Sequence, residues 1–246
     1  MLTIPYGALP DQVGDLYPSA RAGAPLVCLL HGGFWRMPYG RDQLHPLALA
    51  LQAAGLTTWN IGYRRVGPEG APWPATLDDL RAAITFLPQL QHWHSSVALR
   101  TVFLIGHSAG GQLAFWAGAE AATFRLPYGL TGLVGLAPVL DLATAFHQDL
   151  GPGAVATFLG GTPETVSPRY AMASPAARLP LRTPQWILHG TLDTDVPPSM
   201  SRAYVAAARS AGDQVTFEEF QGVDHMGLID PRGPSFLALR SLLSGA

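Results

Sequence analysis

The pentapeptide Gly106-His107-Ser108-Ala109-Gly110 stands between an apolar run at 101–105 and a helix-compatible run at 111–117. A Gly-x-Ser-x-Gly at such a junction commits the chain to a strand, a sharp turn and a helix in immediate succession. The turn holds its serine in a strained backbone conformation and presents the hydroxyl at the end of a sheet. The glycines remove side chains where strand and helix crowd together. Roughly 0.1 chance matches are expected in a chain this rich in glycine and serine, so the pattern draws its weight from its company.

That company is an alternation of short apolar runs and helix-length segments. Strands are expected at 26–30, 57–63, 102–105, 133–137, 186–188 and 215–220, and helices at 43–54, 77–87, 110–121, 199–211 and 235–243. Alternating β and α units predict an α/β fold with a mostly parallel central sheet and helices on both faces. The near-continuous apolar character of the strands fits a sheet covered on both sides. With 246 residues, 48% of them apolar and 13% charged, the chain reads as one globular domain over 1–246. The segment 140–184 breaks the alternation with Pro152, Pro163, Pro168, Pro175, Pro180 and Pro184. It is too long for an ordinary connection and is a candidate minimal cap over the site, the alternative being an inert insertion.

A net charge of −2 gives no reason to expect a nucleic acid or an acidic membrane as partner. All of the basic charge is arginine. Cys28, the single cysteine, lies in an apolar run and is expected as a buried thiol, without disulfide or cysteine metal cluster. The N-terminus lacks the basic and apolar regions of a signal peptide, and polar residues or proline interrupt 44–56 and 130–146. A cytoplasmic protein is the resulting expectation. No spacing among the histidines resembles a metal site, so neither metal nor cofactor is expected.

Acyl transfer through a serine needs a nucleophile, a base, a group that orients the base, and donors for the oxyanion. Ser108 is the candidate nucleophile; its bland alternative is a serine that caps the following helix. The candidate acid follows the strand near 186–188, in His189-Gly190-Thr191-Leu192-Asp193-Thr194-Asp195-Val196-Pro197. Asp193 is preferred, with Asp195 as the alternative. His225 follows the last strand, in Gly222-Val223-Asp224-His225-Met226-Gly227, and is the candidate base. The order serine, acid, histidine is that of the α/β-type arrangement. His107 points away from Ser108 on a tight turn and is read as structural. The oxyanion donors are expected from the N–H of Ala109, at a helix N-terminus, and from Gly33 and Phe34 in His31-Gly32-Gly33-Phe34-Trp35. His31 is read as a brace for that loop.

These residues resemble the α/β-hydrolase superfamily over nearly the whole chain: HGGFW, GHSAGG, HGTLDTDVP and GVDHMG follow one another at its intervals. More narrowly, HGGFW resembles the H-G-G-x-W motif of the kynurenine formamidase (arylformamidase) branch, where hormone-sensitive-lipase-type esterases show H-G-G-G. Asn60 to Arg65 and Trp73 to Asp79 are similar to small bacterial hydrolases near that branch. The resemblance implies a metal-independent serine hydrolase of the α/β-hydrolase fold that cleaves a small-molecule ester or amide. An arylformamidase or carboxylesterase is expected first, and a short-peptide or acyl-peptide hydrolase second. A non-catalytic ligand-binding protein on the same fold is the reading from another class. For a substrate with an aromatic ring and a carboxylate, Phe34, Trp35, Met37, Tyr39 and Trp73 are candidate wall residues, and Tyr63 is a further candidate substrate contact. Arg36, Arg64 and Arg65 are candidate carboxylate forks.

Overall fold

The computed structural model describes residues 1–67 and 73–244. In chain order the elements are β1 (Leu2–Pro5), β2 (Val13–Tyr17), β3 (Leu26–Leu30), α1 (His45–Ala53), β4 (Thr57–Ile61), α2 (Ala75–Phe86), α3 (Leu90–Trp93), β5 (Val102–His107), α4 (Ala109–Ala119), β6 (Gly132–Leu136), α5 (Leu142–His147), α6 (Ala154–Leu159), α7 (Ser167–Ala173), β7 (Gln185–Gly190), α8 (Pro198–Ser210), β8 (Val215–Phe220) and α9 (Pro234–Ser244). They build one sheet of order β1-β2-β4-β3-β5-β6-β7-β8. The six strands from β3 to β8 run parallel, and β1 and β2 join the β4 edge antiparallel.

The expected parallel strands are all present, whereas the antiparallel pair at the edge has no counterpart in the sequence reading. Its residues explain the omission. In β1 only Ile4 is buried, and β2 carries Gly14 and Asp15, residue types that strands disfavour. Tertiary contacts require both: the Trp59 indole fills the space where a side chain on residue 14 would stand, and Asp15 accepts from Thr3 Oγ1 and pairs with Arg41.

The parallel strands from β3 to β7 are buried on both faces, the edge strand β8 exposes Thr216 and Glu218, and the alternation of side chains divides the core. Leu26, Cys28 and Leu30 face one layer, with residues of α2, α4 and α8; Val27 and Leu29 face the other, with α1 and α9. Burial pushes the Cys28 thiol well above its usual range. The excursion holds α5, α6 and α7 and shares the first of these cores: Leu142, Ala145, Phe158, Tyr170 and Ala173 are buried with Leu30 and Leu113. Asp141 caps α5 by accepting the N–H groups of Ala143 and Thr144. Among the described residues no helix is long and apolar enough to cross a membrane.

Candidate active site

Strand β5 ends at His107 and α4 begins at Ala109, leaving Ser108 alone in the turn at φ 56°, ψ −119°. A non-glycine residue at positive φ is strained by about 1–3 kcal/mol and persists only where its surroundings over-determine it. Here they do. The Ser108 N–H donates to Leu136 O at 2.9 Å, and its carbonyl accepts from Gly111 and Val139. A side chain on Gly106 would overlap the Gly110 backbone, and one on Gly110 would overlap the Leu30 and His31 carbonyls. The hydroxyl does not cap α4, so the bland alternative for this serine is not realised.

Two loops at the same C-terminal end of the parallel strands meet beside this turn. His225 Nδ1 donates to Asp193 Oδ2 at 2.7 Å, with both side chains largely buried. That bond leaves His225 Nε2 as the unprotonated nitrogen of a neutral ring. Asp193 Oδ1 accepts the N–H groups of Asp195 at 2.9 Å and Val196 at 2.8 Å. His189 Nε2 lies 3.2 Å from Asp193 Oδ2. It also donates to Val196 O at 2.9 Å, while its Nδ1 accepts from Ser201 Oγ at 2.8 Å. Burial alone would raise the Asp193 carboxyl; the hydrogen bonds from His189, His225 and Val196 outweigh it and hold the group well below the usual carboxylate range. The alternative acid, Asp195, is exposed and contributes only its backbone N–H.

The loop after β3 lies against the serine, since a Cβ on Gly32 would stand 3.0 Å from Ser108 Cβ. Gly33, Phe34 and Trp35 follow at φ 96°, 50° and 58°, which curls the backbone. Gly32 N–H is held by Gln43 Oε1 at 2.9 Å. The N–H groups of Gly33, Phe34 and Ala109 donate to no acceptor among the described residues. Beneath the loop, His31 stacks on Tyr63 with ring centroids 4.2 Å apart, and its Nδ1 donates to Gly32 O at 2.8 Å. Burial pushes His31 down to about 3, so it is a neutral prop.

The candidate substrate contacts divide. Trp35 is fully buried: it stacks on Phe158 at 4.6 Å and donates to Gln112 Oε1 at 2.8 Å, which makes it core and not wall. Tyr63 is likewise buried, with its hydroxyl donating to His31 O at 2.7 Å. Arg64 spends its fork on the buried carboxylate of Asp79, with Nη2 to Oδ1 at 2.6 Å. A guanidinium already satisfied by a buried anion is not free to hold another. Arg65 pairs with Asp11 and donates to the Tyr39 carbonyl, and Arg36 donates to Pro152 O at 2.5 Å. Phe34 and Trp73 are half-buried; the Phe34 ring packs on Gly151 and Trp73 meets Phe158 edge-on. Met37 and Tyr39 are exposed.

The sequence reading missed His189, Gln43 and Gln112. Gln112 left a signal, because an amide inside the apolar run 111–117 must have buried partners; they are Trp35 Nε1 and Ala173 O. His189 left a weaker one, four residues before Asp193 in the same loop motif.

A parallel sheet with a strained serine turn at the end of a central strand, and an acid and a histidine on later loops, defines the α/β-hydrolase fold, that of esterase-type hydrolases. The BD-FAE family model matches residues 15–207, and the chain belongs to that family. It is 24% identical to the kynurenine formamidase of Danio rerio over 241 residues, covering 94% of this chain and 76% of that protein. It is 30% identical to Esterase LipQ of Mycobacterium tuberculosis over 224 residues, covering 86% of this chain and 52% of the relative. Among solved structures, a truncated carbohydrate esterase from gut microbiota superposes with a TM-score of 0.84 at 19% identity, over 99% of this chain and 94% of that one. Esterase B of Lactobacillus rhamnosis superposes with a TM-score of 0.82 at 20% identity, over 99% and 85% of the two chains.

Proposed function

We propose that this protein is a serine hydrolase that cleaves a small carboxylic ester through an acyl-enzyme. The observation that carries the reading is the Asp193–His225 bond at 2.7 Å, on loops that leave the same ends of the parallel strands as the strained turn of Ser108. His225 Nε2 accepts the Ser108 proton as Oγ attacks the carbonyl carbon. The N–H groups of Ala109, Gly33 and Phe34 receive the oxyanion, and the N-terminus of α4 adds favourable charge. His225 then returns the proton to the leaving alcohol. Water repeats both steps on the acyl-enzyme and restores Ser108. Asp193, held ionised, fixes the Nδ1–H tautomer and stabilises the transient imidazolium.

An ester is favoured over the formamide of an aromatic amino acid because Arg64 and Arg65 are paired with Asp79 and Asp11, and Arg36 reaches away to the Pro152 carbonyl. Of the arginines that the sequence put forward, only Arg36 carries no carboxylate partner among the described residues. The likeness to kynurenine formamidase keeps the formamide as the second reading.

Hydrolysis of p-nitrophenyl butyrate and of N-formyl-kynurenine, with Ser108→Ala as control, separates the two. The expected result is kcat/KM of about 10⁴ M⁻¹s⁻¹ or more for the ester, the lower end of competent enzymes, and much less for the formamide. Ser108→Ala should lower kcat by roughly 10⁶-fold. Comparable activity on the formamide overturns the ester preference, and an active Ser108→Ala overturns the mechanism.

A further inference from the structure

Ser-His-Asp chemistry gives His107 no task, yet this buried histidine meets the His225 loop and lies beside Gly32 of the loop after β3. It ends β5 directly before Ser108, and its ring centroid lies 4.5 Å from that of His225. Its Nε2 is 3.1 Å from the His225 carbonyl oxygen. A carbonyl only accepts, so Nε2 carries the proton and Nδ1 is a bare lone pair. Nδ1 is buried and without a partner among the described residues, and a Cβ on Gly32 of the oxyanion loop would stand 3.1 Å from it.

His225 lies outside the sheet, between β8 and a single helical turn, Met226–Ile229. Asp193 fixes its ring, Leu192 N–H holds the Val223 carbonyl two residues before it, and the His225 carbonyl itself meets His107.

We infer that His107 is a positioning residue: by donating Nε2–H to the His225 carbonyl it sets the reach of the His225 ring toward Ser108. The inference rests on the hydrolase reading above. The same geometry requires a neutral His107. A second proton would sit unpaired at buried Nδ1, beside a histidine that must itself become positive in each half-reaction. Burial, and after it the His225 charge, pushes His107 down to about 3.

Replacement by glutamine and by asparagine tests the donor itself. The glutamine amide nitrogen lies four bonds from Cα, as Nε2 does; the asparagine amide nitrogen lies three bonds away, as Nδ1 does. His107→Gln can therefore donate to the His225 carbonyl, and His107→Asn cannot reach it. On p-nitrophenyl butyrate, His107→Gln is expected within about fivefold of wild-type kcat, while His107→Asn and His107→Ala lose about 10²-fold with KM little changed, the scale of an ångström of misplacement. A residue that only fills space would show no preference for glutamine. Thermal midpoints confirm folding, and should the alanine variant not fold, the two amides decide. Asparagine equal to glutamine, full kcat in all three, or losses confined to KM overturns the inference and leaves the hydrolase reading intact. A wild-type enzyme that neither cleaves the ester nor reacts with a fluorophosphonate at Ser108 overturns both.

Discussion

Every neighbour that hydrogen-bonds to the Asp193 carboxylate is a donor: His225 and His189 at one oxygen, the N–H groups of Asp195 and Val196 at the other. An amide in its place has no good orientation, because either flip turns an NH₂ toward a donor. The relief open to Asp193→Asn is a change of His225 tautomer, with Nδ1 accepting and Nε2 protonated. That tautomer cannot take the Ser108 proton. Asp193→Asn is therefore expected to lower kcat by about 10⁴-fold, the cost of a wrong imidazole tautomer. Asp195→Asn alters an exposed side chain whose backbone alone serves the site, so it should stay near wild type. Ester hydrolysis by the two purified variants checks the assignment; the reverse order of effects would move the acid to Asp195.

At the scale of elements, the excursion between β6 and β7 is bound to the catalytic scaffold by its own side chains. Phe158 on α6 stacks on Trp35, and Trp35 and Ala173 share Gln112 of α4. A hinged flap would give up little stability on losing one ring. A docked wall behaves as core, where Phe→Ala costs about 3–5 kcal/mol. Phe158→Ala is expected in that range by urea unfolding, with kcat also reduced, because Trp35 adjoins the oxyanion loop. A loss under about 1 kcal/mol, as at ordinary surface sites, would show the excursion to be a detachable cap.

The same elements show what a sequence can disclose. The inner strands β3, β5 and β6 were readable because burial on both faces forces near-continuous apolar runs, while β8, at the edge, alternates. The strained turn at Ser108 and the Asp193–His225 pair were legible as candidates because each lies in a contiguous string of residues at a strand end. The β1–β2 edge was not, since Gly14 answers to Trp59 and Asp15 to Arg41, contacts that no local pattern encodes. Arg64 looked free for the same reason: its partner Asp79 sits on α2, and a sequence does not say which acid a guanidinium will meet. Trp35 looked like a pocket wall until Phe158 covered it.

Across the whole molecule, the candidate site holds two imidazoles buried as neutral props, His31 under the loop after β3 and His107 under His225. Both are pushed down to about 3 by burial. In the unfolded chain a histidine titrates near 6.5. As the pH falls from about 6.5 toward 3, the unfolded state therefore binds protons that the folded state refuses. Stability is lost in that window, at up to about 1.4 kcal/mol per pH unit for each histidine. Asp193 acts with the same sign, because a carboxyl held low when folded loses its contribution as the pH drops, but only below the unfolded carboxylate value of about 4. Between pH 6 and 5 the two histidines dominate this set. The free energy of urea unfolding should fall steadily from about pH 6.5 downward, and His107→Gln should flatten the slope by about one proton. Equal slopes in wild type and variant would mean that His107 titrates alike in the folded and unfolded chains, and that the prop beneath His225 takes up a proton within this window.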